Sequence, residues 1–127
     1  METRAFQDWM VETALPLWAG AGRDAAGGFH EQLTLHGAPD AAASRRVRVQ
    51  FRQIMVFCAA HSLGLRADGA AIARRAFDRV RKTAWAPDGQ PGWIHRISAE
   101  GAPLDLSRRA VDQAFALLGL AWLRRPG

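Results

Sequence analysis

Arg52-Gln53-Ile54-Met55-Val56-Phe57 and Asp112-Gln113-Ala114-Phe115-Ala116-Leu117 are the two stretches whose reading decides the fold. Each places a charged residue and a glutamine before an unbroken apolar run, and the glutamines stand 60 positions apart, at 53 and 113. A helix that is hydrophobic on every side is a buried one. The two stretches therefore mark inner helices, one over about 44–63 that stops at Gly64, the other over about 107–123 with Pro126-Gly127 as its stop. Self-similarity at such a period predicts stacked helical hairpins in which outer helices cover inner ones.

Two amphipathic segments supply the outer helices. Over about 69–84, Ile72, Ala73, Ala76, Phe77 and Val80 form an apolar stripe, while Arg74, Arg75, Asp78, Arg81 and Lys82 face water. Pro87-Asp88-Gly89 marks the turn that follows. Over about 6–18 the stripe is Phe6, Trp9, Met10, Thr13 and Leu17, and Pro16 is expected to kink this helix or close it early. Between the helices, 28–35 and 92–98 partly alternate apolar and polar residues and run into turns at Gly37 and Gly101, as small β-hairpins or extended loops do. The expectation is an all-α chain of about four helices, arranged as two helical hairpins with short β-hairpin-like loops. Its 127 residues suit a single domain spanning 1–127.

Apolar residues at 49% and charged residues at 23% are ordinary for a globular protein. The net charge is +5 and Lys82 is the only lysine, so the basic character is almost wholly arginine. Arg45, Arg46, Arg48 and Arg52 near one helix start motivate one rival reading, a basic helical module binding nucleic acid. A structural oligomerisation domain is another. Cys58 stands alone within an apolar run, which excludes an intramolecular disulfide or thiolate cluster and predicts a packing role. Glu2, Asp8 and Glu12 interrupt the first apolar stretch as a secretory leader would not. The longest apolar run, 114–123, falls well short of the roughly 20 residues a membrane span needs. The expected compartment is the cytoplasm, with no membrane partner.

Gly20-Ala21-Gly22 opens a formal dinucleotide fingerprint, but it follows a helix rather than a strand and is dismissed. None of His30, His36, His61 and His95 has metal-ligand spacing with a second histidine or cysteine, and neither metal nor cofactor is expected. His30 and His95, in the extended pieces, read as structural or solvent-facing. His61 is placed to favour its helix's C-terminus. Arg52 shares a helix face with Val56 and Ala59, so its guanidinium needs either an acid or a polar or anionic ligand. An ion pair with Asp112 and a ligand contact stand as equal alternatives.

Taken in order, Ala14-Leu15-Pro16-Leu17-Trp18, Gly27-Gly28-Phe29-His30-Glu31, Arg48-Val49-Gln50-Phe51-Arg52-Gln53-Ile54, Pro87-Asp88-Gly89 and Asp112-Gln113-Ala114-Phe115 resemble the N-terminal part of the N-acylglucosamine 2-epimerase superfamily. Among its members the chain is most similar to the bacterial mannose or mannose-6-phosphate isomerase-like branch. The resemblance implies a partial (α/α)6 toroid and a sugar or sugar phosphate as partner. The implied chemistry is 2-epimerisation or aldose–ketose isomerisation by proton transfer through an enediolate. It implies substrate contact at Arg52, Asp112 and Gln113, and leaves the catalytic residues unassigned, because the family's two catalytic histidines sit on later inner helices. Val111 stands where the family often has a tyrosine lining the site. A chain of this extent is expected to look truncated and to be inactive alone. Its uncovered inner helices should present an apolar patch for self-association or a complementing chain.

Overall fold

The computed structural model describes residues 2–124. In chain order its elements are α1 (Glu2–Trp9), a π-helical segment (Met10–Ala14), α2 (Leu15–Ala19), β1 (Arg45–Arg46), α3 (Val47–Ser62), α4 (Gly69–Ala84), β2 (Arg96–Ile97), β3 (Pro103–Asp105) and α5 (Ala110–Leu123). The chain is mainly helical, with one small sheet. The expected stop at Pro126-Gly127 lies outside the described residues.

α1, the π-helical segment and α2 run on without a break, so Pro16 neither closes the first helix nor ends it early. A proline within a helix has no N–H for the carbonyl four residues back, and its ring crowds that carbonyl, here Glu12. The backbone widens just ahead of it. Leu15 N–H reaches five residues back to Met10 O, and Pro16 then sits in the first turn of α2. The extra residue in that turn advances the helix by about 100°, and the apolar stripe loses its phase. Phe6 and Trp9 are accordingly 61% and 52% exposed, while Leu15 is buried and Met10, Trp18 and Ala19 are half-buried. Of the stripe expected to face the core only Met10 is half-buried, and Leu15, Trp18 and Ala19, outside that stripe, make the contact near α2.

α4 follows its sequence pattern: Ile72, Ala73, Ala76, Val80 and Ala84 are buried and the charged side chains point outward. Burying each large apolar side chain contributes about 1.5–3 kcal/mol. α3 is the central helix. Val47, Phe51, Ile54, Phe57, Cys58 and Ala60 lie in the core, between α4 on one side and α5 on another. Burial pushes the Cys58 thiol up, as its packing role requires. Phe51 meets Trp93 edge-on at 4.8 Å, and Phe29 stacks on Phe57 at 5.4 Å. α5 departs from expectation. Asp112, Ala116 and Gly119 are buried against α3, but Leu117 is 69% exposed, and Val111 and Leu118 are exposed with it. Its apolar sequence is real, yet within this chain only one of its faces is covered.

The loops 20–46 and 85–109 are joined laterally. β1 comes from the first loop, β2 and β3 from the second, and they form one antiparallel sheet in the order β1-β2-β3. The chain is thus two helix–loop–helix units. Their equivalence runs through Gln50 and Gln113, 63 positions apart, not through Gln53. Gln50 accepts from Phe29 N–H and donates to Phe29 O, and Gln113 does the same with Trp93. The turns match too: Gly37 N–H donates to Thr34 O, and Gly101 N–H to Ser98 O. No helix among the described residues is long and apolar enough to cross a membrane.

Candidate functional site

The loops deliver the site residues to the N-terminal ends of α3 and α5. The first loop is tied by a buried ion pair between Asp24 and Arg45, and His30 Nδ1 lies 3.3 Å from the same guanidinium. Burial alone raises the Asp24 carboxyl. The Arg45 guanidinium, by hydrogen bond and charge, together with the N–H groups of Gly28 and Ala26, more than reverses this and leaves it below its ordinary 3.8. A depressed carboxyl stabilises the fold above its unfolded value and loses that contribution as pH falls through the folded one. Asp24→Asn should therefore cost stability by a constant amount at neutral pH, and the gap to the parent should close as pH drops below 3.8. Urea melts over a pH series read this directly; a gap that persists unchanged in acid would assign the effect to shape rather than charge.

In the second loop His95 takes the place Glu31 holds in the first: Glu31 holds the residue that precedes α3, and His95 holds the first turn of α5. Glu31 accepts from Arg46 N–H at 3.0 Å, and from its Nε at 3.0 Å. His95 Nδ1 meets Asp112 Oδ2 at 2.8 Å, while its carbonyl accepts from Val47 N–H. Asp112 is 0% exposed and its Oδ1 has no hydrogen-bond partner, so it reaches any ligand only through its neighbours. Gln113 is spent on the Trp93 peptide and on Arg109 O. The side chains of Asp112 and Gln113 are thus bonded within the fold, and the structure brings Asp112 together with His95, a partner that sequence spacing did not reveal.

Arg52 stands apart from them. It is exposed and does not pair with Asp112, whose carboxylate is taken by His95. Its guanidinium lies over the Phe115 ring, 5.7 Å from the centroid, and no carboxylate pairs with it among the described residues. A ring face holds a cation at little cost while leaving its N–H donors free. Arg45 and Arg46, by contrast, are committed to Asp24 and Glu31, which removes half of the cluster that motivated nucleic-acid binding. No group of three or more His, Cys, Asp or Glu side chains is placed to hold a metal among the described residues.

Paired helices stacked around a common inner layer, with long loops at one end, define a segment of an α/α toroid. The family model described as N-acylglucosamine 2-epimerase (GlcNAc 2-epimerase) matches residues 27–125, and the chain belongs to that family. It is 39% identical over 121 residues to a mannose-6-phosphate isomerase of Rhizobium meliloti (strain 1021), covering 91% of this chain and 29% of the relative. Its fold matches cellobiose 2-epimerase from Spirochaeta thermophila DSM 6192, with TM-score 0.83 and 21% identity over 96% of this chain and 30% of that one. It also matches a sugar epimerase from a ruminal bacterium (TM-score 0.85, 20% identity, 97% and 31% covered) and a D-mannose isomerase (0.80, 19%, 94% and 30%). The chain spans less than a third of each of these relatives.

Proposed function

We propose that residues 1–127 act as one domain that forms part of the wall of a sugar-isomerising site, with Arg52 as its ligand-contacting group. The observation that carries this is an exposed guanidinium with no acid partner among the described residues, seated on Phe115 where two inner helices meet, in a chain of a sugar-epimerase family. The reaction is 2-epimerisation or aldose–ketose isomerisation of a sugar or sugar phosphate through an enediolate. Arginine is suited to the oxyanion that develops at the carbonyl, or to a phosphate. Asp112 and Gln113 hold the inner-helix starts that position it. His30 and His95, buried and engaged, do not offer a free base on this face. Proton transfer therefore needs groups from further helices, the chain alone is inactive, and its place is cytoplasmic.

Mannose 6-phosphate and mannose, titrated against isotope-labelled chain, should shift the signals of Arg52 and Phe115. Arg52→Ala should weaken that response at least tenfold, about 1.4 kcal/mol. Absence of any shift with either sugar, from folded protein, would remove the wall reading. Deuterium uptake at C2 from D2O by the chain alone would instead overturn its inactivity.

A further inference from the structure

We propose that Arg48 joins Arg52 in a phosphate subsite, so that the substrate of this wall is a sugar phosphate rather than a neutral sugar. This rests on the reading of Arg52 as the ligand-contacting group, and adds to it a second contact and the substrate class. Arg48 is half-buried, Arg52 is exposed, and they stand four residues apart in the first two turns of α3. Side chains at that spacing share one face of a helix, with their Cβ atoms about 5–6 Å apart. Two guanidiniums so placed can close on one group between them.

Helix energetics opposes both charges. Like charges four residues apart repel, and the start of a helix is the positive end of its dipole. The first turn of α3 holds no acid to offset them. No carboxylate pairs with Arg48 or Arg52 among the described residues. Nor does the architecture need a cation here. The 63-position offset between Gln50 and Gln113 carries Arg48 and Arg52 onto Val111 and Phe115, so α5 builds the same face from apolar side chains. Arg45 and Arg46, by contrast, are each tied to an acid of the first loop. The two charges left over call for an anion that matches them. A carboxylate balances one guanidinium, and a sugar hydroxyl balances none. A phosphomonoester carries about −1.5 to −2 at neutral pH, with three acceptor oxygens for two planar forks of donors. Phe115 already seats the Arg52 guanidinium, 5.7 Å from the ring centroid, which lowers the ordering cost of that contact.

Titration of isotope-labelled chain with mannose 6-phosphate, mannose and inorganic phosphate tests it, read at the arginine side-chain N–H signals. Mannose 6-phosphate should bind at least tenfold tighter than mannose. Like inorganic phosphate, it should move Arg48 and Arg52 while the exposed Arg81 on α4 stays in place. Arg48→Gln should bring the two sugars to within about twofold of each other. In the ligand-free chain the same substitution should leave the urea midpoint unchanged or raise it, because it removes a repulsion. Equal affinity for the two sugars in the parent would overturn the phosphate subsite and leave the wall reading standing; no shift with either sugar would remove both. A preference that survives Arg48→Gln, or shifts at Arg81 as large as those at Arg48, would also overturn the proposal, the latter as general attraction to a basic surface. A lowered urea midpoint for Arg48→Gln would assign Arg48 to the fold and overturn it as well.

Discussion

Phe51→Ala is expected to lower the unfolding free energy by about 3–5 kcal/mol, a large part of the roughly 5–15 kcal/mol a domain has. The cost follows from how many elements meet at one ring. Phe51 is wholly buried, packs edge-on against Trp93 and lies 6.5 Å from Phe77 on α4. It is also the surface onto which Gly119 lets α5 descend. Deleting it opens a cavity bounded by both units, and the rigid ring of Trp93, pinned through its peptide by Gln113, cannot swing in to fill it. Urea unfolding followed by tryptophan fluorescence measures the loss. A change under about 1 kcal/mol would mean that α5 relaxes onto α3 and that the two units are less rigidly joined than the contacts imply.

Gln50→Leu should cost about 2–6 kcal/mol, although it replaces a polar residue with an apolar one of similar size in the core. Its amide closes both hydrogen bonds of the Phe29 peptide, at 3.0 and 2.7 Å, in a site where Gln50 is 2% exposed. Leucine leaves one N–H and one carbonyl buried without partners, each costing about 1–3 kcal/mol. Gln113→Leu makes the same change in the second unit and should cost distinctly less, because Gln113 is half-buried and water can reach the Trp93 peptide. Equal losses at the two positions, compared in parallel denaturant melts, would contradict this account of burial.

The outer helix α4 was legible because nothing disturbs its 3.6-residue period: the stripe read from Ile72 to Val80 is the stripe that packs, and the expected bounds of 69–84 are those observed. The first helix carries an equally clear stripe, but a π-helical turn has no signature in hydrophobic periodicity, so its phase slip before Pro16 was invisible. The repeat was seen with the wrong partner. Arg52-Gln53 looks like Asp112-Gln113 in the linear text, whereas the fold equates residues by what their amides bind. Other signals held the correct pairing: the Arg45-Arg46 and Arg108-Arg109 pairs ahead of each inner helix at the same offset, and Gly28-Phe29 against Gly92-Trp93 one position further apart. At the site, the residues themselves singled out Arg52, while Asp112 and Gln113 entered through the resemblance. Neither showed that His95 takes up Asp112, or that Phe115 carries the guanidinium, because both contacts join segments with no fixed spacing.

The strand pairing between the two loops bears on how the chain comes apart. Stacked helical units normally behave as a one-dimensional array, each with its own stability and a weaker coupling to its neighbour. Here main-chain bonds cross the boundary: β1 of the first loop pairs with β2 of the second, and Val47 N–H, the first of α3, is held by His95 O. Unravelling the second unit strips α3 of its starting bond as well as its apolar cover. The two units are therefore expected to unfold as one cooperative block rather than one after the other.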